Sequence, residues 1–164
     1  MKLRILSVFA AAALLAACET APDSTATTGG DGASTSSSAS TSTSLAESSP
    51  EWFAVNVGDR VFFGFDKYDL AGEARRTLEL QAAWLKKYPQ YKVVVEGHAD
   101  ERGTREYNLA LGERRANSVK DYLIALGIDP SRIETISYGK ERPVALGHDE
   151  ESWGKNRRSV SVIR

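Results

Sequence analysis

The chain has 164 residues and a formal net charge of −1, about one domain's worth of length. Its single cysteine excludes an intramolecular disulfide framework and a cysteine-rich zinc module. Its 21 basic and 22 acidic residues leave no basic surplus to drive general nucleic-acid binding.

Residues 1–17 read as a secretory signal. Lys2 and Arg4 give a short basic start, and Ile5–Ala17 is an apolar run broken only by Ser7. Such a run is shorter than the roughly 20 residues that span a bilayer and suits the apolar region of a signal peptide. Leu15-Ala16-Ala17-Cys18 puts small residues before the cut and the chain's only cysteine where a mature chain would begin. It resembles a bacterial lipobox, which implies that Cys18 is lipidated and becomes the new N-terminus. The alternative is an ordinary signal peptide with an incidental cysteine. Each buried CH₂ of an acyl chain contributes about 0.8 kcal/mol, so several chains on one residue anchor firmly. Glu19 follows the cysteine where enteric inner-membrane lipoproteins carry Asp, which favours the outer membrane.

Residues 18–50 read as a disordered tether. From Ser24 to Ser44, 14 of 21 residues are Ser or Thr, and nothing there buries enough apolar area to offset chain ordering. Such a linker has an r.m.s. span of about 30 Å and a full reach of about 100 Å. The remaining segment, 51–164, holds all three Trp, all six Tyr and four of the five Phe. Its 19 basic and 18 acidic residues leave it nearly neutral. It is large enough for one modest core and too small for a multidomain enzyme.

Within this head, Arg60–Phe65 is β-rich, with Val61, Phe63 and Phe65 expected on one face. Asp69 is positioned to cap a helix over Leu70–Lys87, with an apolar stripe at Ala74, Leu78, Ala82 and Leu85 and Pro89 just beyond. Lys92–Gly97 is a second strand, and its Val93-Val94-Val95 centre suits a buried position. A second helix is expected over Thr104–Leu126, with Gly127 as its C′ residue. Asp129–Arg132 opens a short helical turn, Ile133–Tyr138 is a third strand and Arg158–Ile163 a fourth. Two helical crossovers between strands predict right-handed connections and a layered α/β domain.

Asn108, Leu111, Arg115, Val119, Tyr122 and Leu126 recur at helical spacing, so the second helix carries a guanidinium and an amide on its inward face. A buried charge needs a partner, and the preceding loop, Gly97–Gly103, offers Asp100. Two readings stay open. Either Asp100 and Arg115 form an ion pair that closes the helix on the sheet, or they flank a gap suited to a zwitterion carrying an ammonium beside a carboxylate. His98 and Asp100 with His148 and Glu150 would be the only metal set, but no HExxH helix supports it, and neither a metal nor a cofactor is expected. Arg157 and Arg158 are expected to divide into one ion-paired and one exposed side chain. Trp84 and Tyr88 are expected to pack, and Trp153 falls in a charged loop with no assigned role.

Asp59–Tyr68, Val95–Thr104, Tyr107–Asn117, Ser137–Glu141, Gly147–Glu150 and Asn156-Arg157-Arg158 together resemble the peptidoglycan-associated lipoproteins of the Tol–Pal system, within the broader OmpA-like superfamily. The resemblance covers roughly residues 57–164 and the lipobox. It implies a βαβαβ-β domain, with a mixed four-stranded sheet and its helices packed on one face. It implies that Asp100 and Arg115 hold the diaminopimelate of the peptidoglycan stem peptide, with Phe65, Asp66, Asn108 and Leu111 completing the site. Gly64 departs from the enteric pattern, where a larger polar residue stands. The implied function is non-enzymatic: a lipoprotein that links outer membrane to wall, faces the periplasm and supports envelope integrity and constriction at division. A periplasmic β-propeller protein of the Tol system is the implied partner. Glu101, Arg102 and Arg105, expected to be exposed and of both signs, suggest where it docks. The alternative is a small lipid-anchored wall hydrolase or amidase, for which no nucleophile–base pair can be assembled from the sequence.

Overall fold

The computed structural model describes residues 45–164; the signal segment, Cys18 and most of the tether lie outside the described residues. Val93–His98 (β2) lies inside a four-stranded sheet. It pairs in parallel with Ile133–Gly139 (β3) and antiparallel with Arg158–Ile163 (β4). Arg60–Phe62 (β1) pairs antiparallel with β4, on the far side of it from β2. The helices Gly72–Lys87 (α2) and Arg105–Ala125 (α3) therefore each connect strands that run the same way, as βαβ crossovers require. The final strand inserts between the first two.

The core lies between one face of the sheet and these helices. Val93 and Val95 are fully buried, as are Leu78, Leu85, Ala116, Val119 and Leu123 from the helices, whereas Phe62 and Ile136 on other strands are exposed. The α2 stripe Ala74, Leu78, Ala82 and Leu85 is buried throughout. On α3 the far end of the stripe is less buried than expected: Leu123 is fully buried, while Tyr122 and Leu126 are only half so. In β4 it is Ser159 and Ser161 that are buried. Ser161 Oγ donates to Gln81 Oε1 at 2.8 Å, and Gln81 Nε2 donates to the Gly58 carbonyl at 2.7 Å, so this buried polar chain is satisfied.

α3 ends as its sequence implies. Gly127 has φ 92°. Its N–H bonds the Ile124 carbonyl at 2.8 Å, the Ile128 N–H bonds the Leu123 carbonyl at 3.0 Å, and Ile128 is buried. Near its start, α3 crosses β2 backbone to backbone. A Cβ on Gly97 would overlap the Gly112 carbonyl, and one on Gly112 would overlap Ser137 Oγ. This contact lowers the first turns of α3 onto the loop that leaves β2.

Several elements differ from expectation. β1 ends at Phe62, and although Phe63 is buried, Phe65 is 60% exposed rather than aligned with Val61 and Phe63. The chain turns there, with the Lys67 N–H on the Gly64 carbonyl and Asp66 at φ 54°. α2 starts at Gly72 after Ala71, with no side-chain cap, so Asp69 is not its N-cap. The segment ahead of it is drawn instead toward α3, where Arg115 Nε donates to the Lys67 carbonyl. A short helix, Pro50–Trp52 (α1), capped by Ser49, runs into a wide helical turn at Phe53–Gly58 that buries Phe53 against Trp84. Ordered contacts begin ahead of Glu51, since the Glu47 carbonyl accepts from Trp84 Nε1 at 2.9 Å. Trp153 is not in a loop: Glu150–Asn156 forms α4, capped by Asp149, whose carboxylate accepts the Ser152 N–H at 2.7 Å. No helix among the described residues is long and apolar enough to cross a membrane.

Candidate functional site

A pocket of about 160 Å³ opens where the turn after β1, the loop after β2 and the first turns of α3 meet. Its walls include Phe65, Asp66, Asp100, Asn108, Leu111 and Arg115, the six residues singled out from the sequence, and also Arg102, Gly103 and Tyr107. The turn presents Phe65 and Asp66. Thr104 caps α3 by accepting the Tyr107 N–H at 3.2 Å. Asn108, 2% exposed, donates Nδ2 to the Arg102 carbonyl at 2.7 Å and to the Thr104 carbonyl at 3.1 Å, pinning the loop onto the helix. The Tyr107 hydroxyl bonds Asp66 Oδ1, which ties the turn to α3.

Arg115 is fully buried and makes no ion pair with Asp100. Its Nε donates to the Lys67 carbonyl at 2.8 Å, Nη1 to the His98 carbonyl at 2.8 Å and Nη2 to the Gly64 carbonyl at 3.1 Å. One guanidinium thus joins the turn, the end of β2 and α3. Burial lowers its pKa to about 10, with Asp100 and Asp66 opposing, so it stays charged at neutral pH. A guanidinium carries five N–H donors, which leaves two uncommitted. Gly64 contributes only its carbonyl here. A Cβ at that position would come within 3.1 Å of the flexible Lys67 side chain, which must give slightly to admit a larger residue.

Asp100 pairs elsewhere. Its Oδ2 lies 2.6 Å from Arg102 Nη2 and 3.4 Å from Arg157 Nη1, and its Oδ1 accepts the Arg102 N–H and Nε, each at 3.2 Å. Burial pushes the Asp100 carboxyl up, but the Arg102 bonds outweigh it and hold the group below the usual carboxylate range. Arg102 is therefore not a free rim charge. It lines the pocket with its guanidinium carbon 4.1 Å from the centroids of both Phe65 and Trp153. Arg157 and Arg158 are both buried, against the expectation that one is exposed. Arg157 reaches Glu150 at 2.6 Å and the Phe63 carbonyl at 3.1 Å. Glu101 accepts from Trp153 Nε1 at 2.8 Å and lies 2.7 Å from His148 Nδ1, while Arg105 is exposed and only loosely paired with Glu141 at 3.3 Å. Sequence reasoning missed Tyr107 and Trp153. Tyr107 sits one turn before Leu111 beside Asn108, and its place at the capped start of α3 was the available signal.

Among the described residues no group of three or more His, Cys, Asp or Glu side chains is arranged to hold a metal ion. His98 is buried and neither ring nitrogen has a hydrogen-bond partner, while His148 stands exposed on Glu101. Burial, together with Arg158 and Arg142, pushes the His98 imidazole down to about 4. The unfolded chain, with an ordinary histidine, takes up this proton near pH 6.5. His98 thus contributes stability that is fully present above that pH and is lost as pH falls toward 4. Between pH 7 and 5 the loss is about 2 kcal/mol. The His148–Glu101 pair acts in the opposite sense, because Glu101 raises the His148 pKa and that contribution is lost as pH rises. The comparison is therefore with a His98→Asn variant: urea unfolding at pH 7 and 5 is expected to show a smaller pH-dependent drop in that variant than in the parent. Equal drops would mean that His98 is protonated in the fold.

The model of the OmpA family matches residues 62–157. The chain is 54% identical over 120 residues to the peptidoglycan-associated lipoprotein of Agrobacterium fabrum, covering 73% of this chain and 68% of that one. It is 56% identical over 115 residues to that of Rhizobium meliloti, covering 70% and 65%. The crystal structure of the peptidoglycan-associated lipoprotein from Burkholderia pseudomallei superposes with a TM-score of 0.67 at 42% identity, covering 71% of this chain and all of that one.

Proposed function

The chain belongs to the OmpA family, and on that premise we propose that its folded domain binds peptidoglycan non-covalently, through the diaminopimelate of the stem peptide, and links wall to envelope. The observation that carries the reading is the pocket itself, about 160 Å³ in volume and lined by two acids, Asp66 and Asp100, and two arginines, Arg102 and Arg115. Diaminopimelate ends in a stereocentre bearing an ammonium and a carboxylate. Asp100 receives the ammonium by giving up its long 3.4 Å contact with Arg157, since Arg102 and Arg157 together fill its four acceptor positions. The two uncommitted N–H groups of Arg115 meet the carboxylate, Phe65 and Asp66 close the mouth, and Asn108 and Leu111 form the floor. The protein is a binder and not an enzyme. The hydrolase alternative draws no support from the pocket, where Asp100 is paired with Arg102 and Arg115 is bonded to backbone carbonyls, nor from its lipoprotein relatives.

Lipidated Cys18 anchors the chain in the outer membrane, the Ser/Thr-rich segment after it acts as the leash, and the wall-binding head takes in Glu47, Ser49 and Pro50 together with residues 51–164. Membrane fractionation of a Cys18→Ser variant checks the anchor: the variant is expected in the soluble fraction, and full retention with outer membranes contradicts it. The partner is a periplasmic β-propeller of the Tol system, docking at the mixed-charge rim of Glu101 and Arg105, a kind of surface that speeds encounter and sets specificity. Because Glu101 holds Trp153 and His148, reversing its charge disturbs the pocket as well as the rim. Arg105 is the cleaner probe of docking.

Incubation with purified sacculi tests the function. Co-sedimentation without release of muropeptides is expected; soluble muropeptides at catalytic protein levels would establish a hydrolase.

A further inference from the structure

Trp153 stands on α4, apart from the residues that carry the wall-binding reading, yet its indole is held at both ends of the pocket's ionic array. On one side its ring lies over the Arg102 guanidinium, with Phe65 flanking the same group at the same 4.1 Å distance. On the other, its Nε1 donates at 2.8 Å to Glu101, a carboxylate that His148 also grips. Arg102 in turn meets both oxygens of Asp100, at 2.6 and 3.2 Å.

The stacking serves no evident packing purpose. Trp153 is only half-buried and is absent from the hydrophobic core, and α4 buries a single residue, Asn156. The rest of its docking is ionic, through Glu150 to Arg157 at 2.6 Å and to Arg102 at 3.7 Å. An arginine on a long, partly exposed stem otherwise samples many rotamers. Two aromatic faces remove most of that freedom and leave the planar fork aligned with a carboxylate.

We propose that Trp153 is a positioning residue for the wall-ligand pocket: stacked on Arg102 and anchored by Glu101, it holds Arg102 in two-point register with Asp100 and so fixes the orientation in which Asp100 meets the ligand's ammonium. The inference rests on the wall-binding reading. It accounts for why a helix too short to contribute to the core carries a tryptophan at this point, and why Glu101, outside the pocket wall, is spent on an indole.

The test is a double-substitution cycle on the full chain, with the tripeptide L-Ala–D-Glu–meso-diaminopimelate as probe and calorimetric titration as readout. Trp153→Ala is expected to weaken binding about fivefold, the scale of one partly desolvated cation–π contact, with little change in melting temperature. Trp153→Phe, which keeps a face for Arg102 but loses the Glu101 bond, is expected to recover most of the affinity. In an Arg102→Gln background, Trp153→Ala is expected to cost less than about twofold, because the group it acts through is gone. An equal cost in both backgrounds, or no cost in either, overturns the proposal. Trp153→Leu keeps apolar bulk if the alanine variant does not fold, and unfolding of both makes Trp153 structural and also overturns it. Failure of the parent chain to bind the tripeptide is a different result and defeats the wall-binding reading itself.

Discussion

Replacing Arg115 with methionine is expected to destabilise the domain by about 3–5 kcal/mol, a large share of the 5–15 kcal/mol typical of a domain. The substitution keeps much of the side-chain volume but removes the Arg115 donor from the Gly64, Lys67 and His98 carbonyls, of which Gly64 keeps the Lys67 N–H. Each unpaired buried polar group costs about 1–3 kcal/mol. Relief from burying the charge itself, the same burial that lowers the Arg115 pKa to about 10, offsets part of this. Arg115→Lys is expected to rescue little, because one ammonium on a longer tether cannot reach three carbonyls on two separate segments. Urea unfolding at neutral pH measures both. An unchanged midpoint for the methionine variant would mean that the three bonds are dispensable. The expectation also bears on wall binding: loss of binding by an Arg115 variant does not by itself report on the ligand, since the pocket walls are held in place by the same group.

Asp100 separates the two effects. Asp100→Ala is expected to leave the fold intact and to weaken binding of a diaminopimelate stem peptide about a hundredfold. Its partner Arg102 has a side chain 31% exposed and can turn to water, while Arg157 keeps Glu150 and the Phe63 carbonyl. Little of the core therefore depends on the carboxylate. A ligand ammonium, by contrast, loses the anion assigned to receive it, and truncating one member of a desolvated, hydrogen-bonded charge pair costs about 2–5 kcal/mol in binding. Circular dichroism and peptide titration on the same sample decide the matter. A folded variant that binds like the parent rules out Asp100 as the ammonium site.

The sequence was most informative where periodicity and end signals agreed. The valine centre of β2, the α2 stripe and the C-terminal glycine of α3 were all legible, and each element lies within two residues of its expected bounds, although α2 starts at Gly72 without the Asp69 cap. That Arg115 faces inward was legible from its place at helical spacing between Leu111 and Val119. Its partners were not, because a backbone carbonyl from Gly64 or Lys67 leaves no mark in the sequence. Spacing likewise put Asp100 near Arg115 but could not show that Arg102, two residues on, reaches Asp100 first by turning back on the loop. The turn that exposes Phe65 depends on Asp66 at positive φ, held by Tyr107 from 41 positions away, and such a contact is invisible to local propensity. The helix at Glu150–Asn156 spans two turns, too few for a hydrophobic period to emerge, and it docks through charge and stacking rather than through an apolar face.

The central claim is that the pocket reads both charges at the end of a diaminopimelate side chain. Parallel titrations of the parent chain with two stem tripeptides, identical except for diaminopimelate or lysine at the third position, test it most directly. Lysine supplies the ammonium for Asp100 but no carboxylate, so the charge-assisted bonds from the uncommitted N–H groups of the buried Arg115 are not formed, a loss of about 1.5–3 kcal/mol. Binding of the diaminopimelate peptide is expected to be saturable and at least about tenfold tighter than that of the lysine peptide. Equal affinities, or no saturable binding of the diaminopimelate peptide, would contradict it.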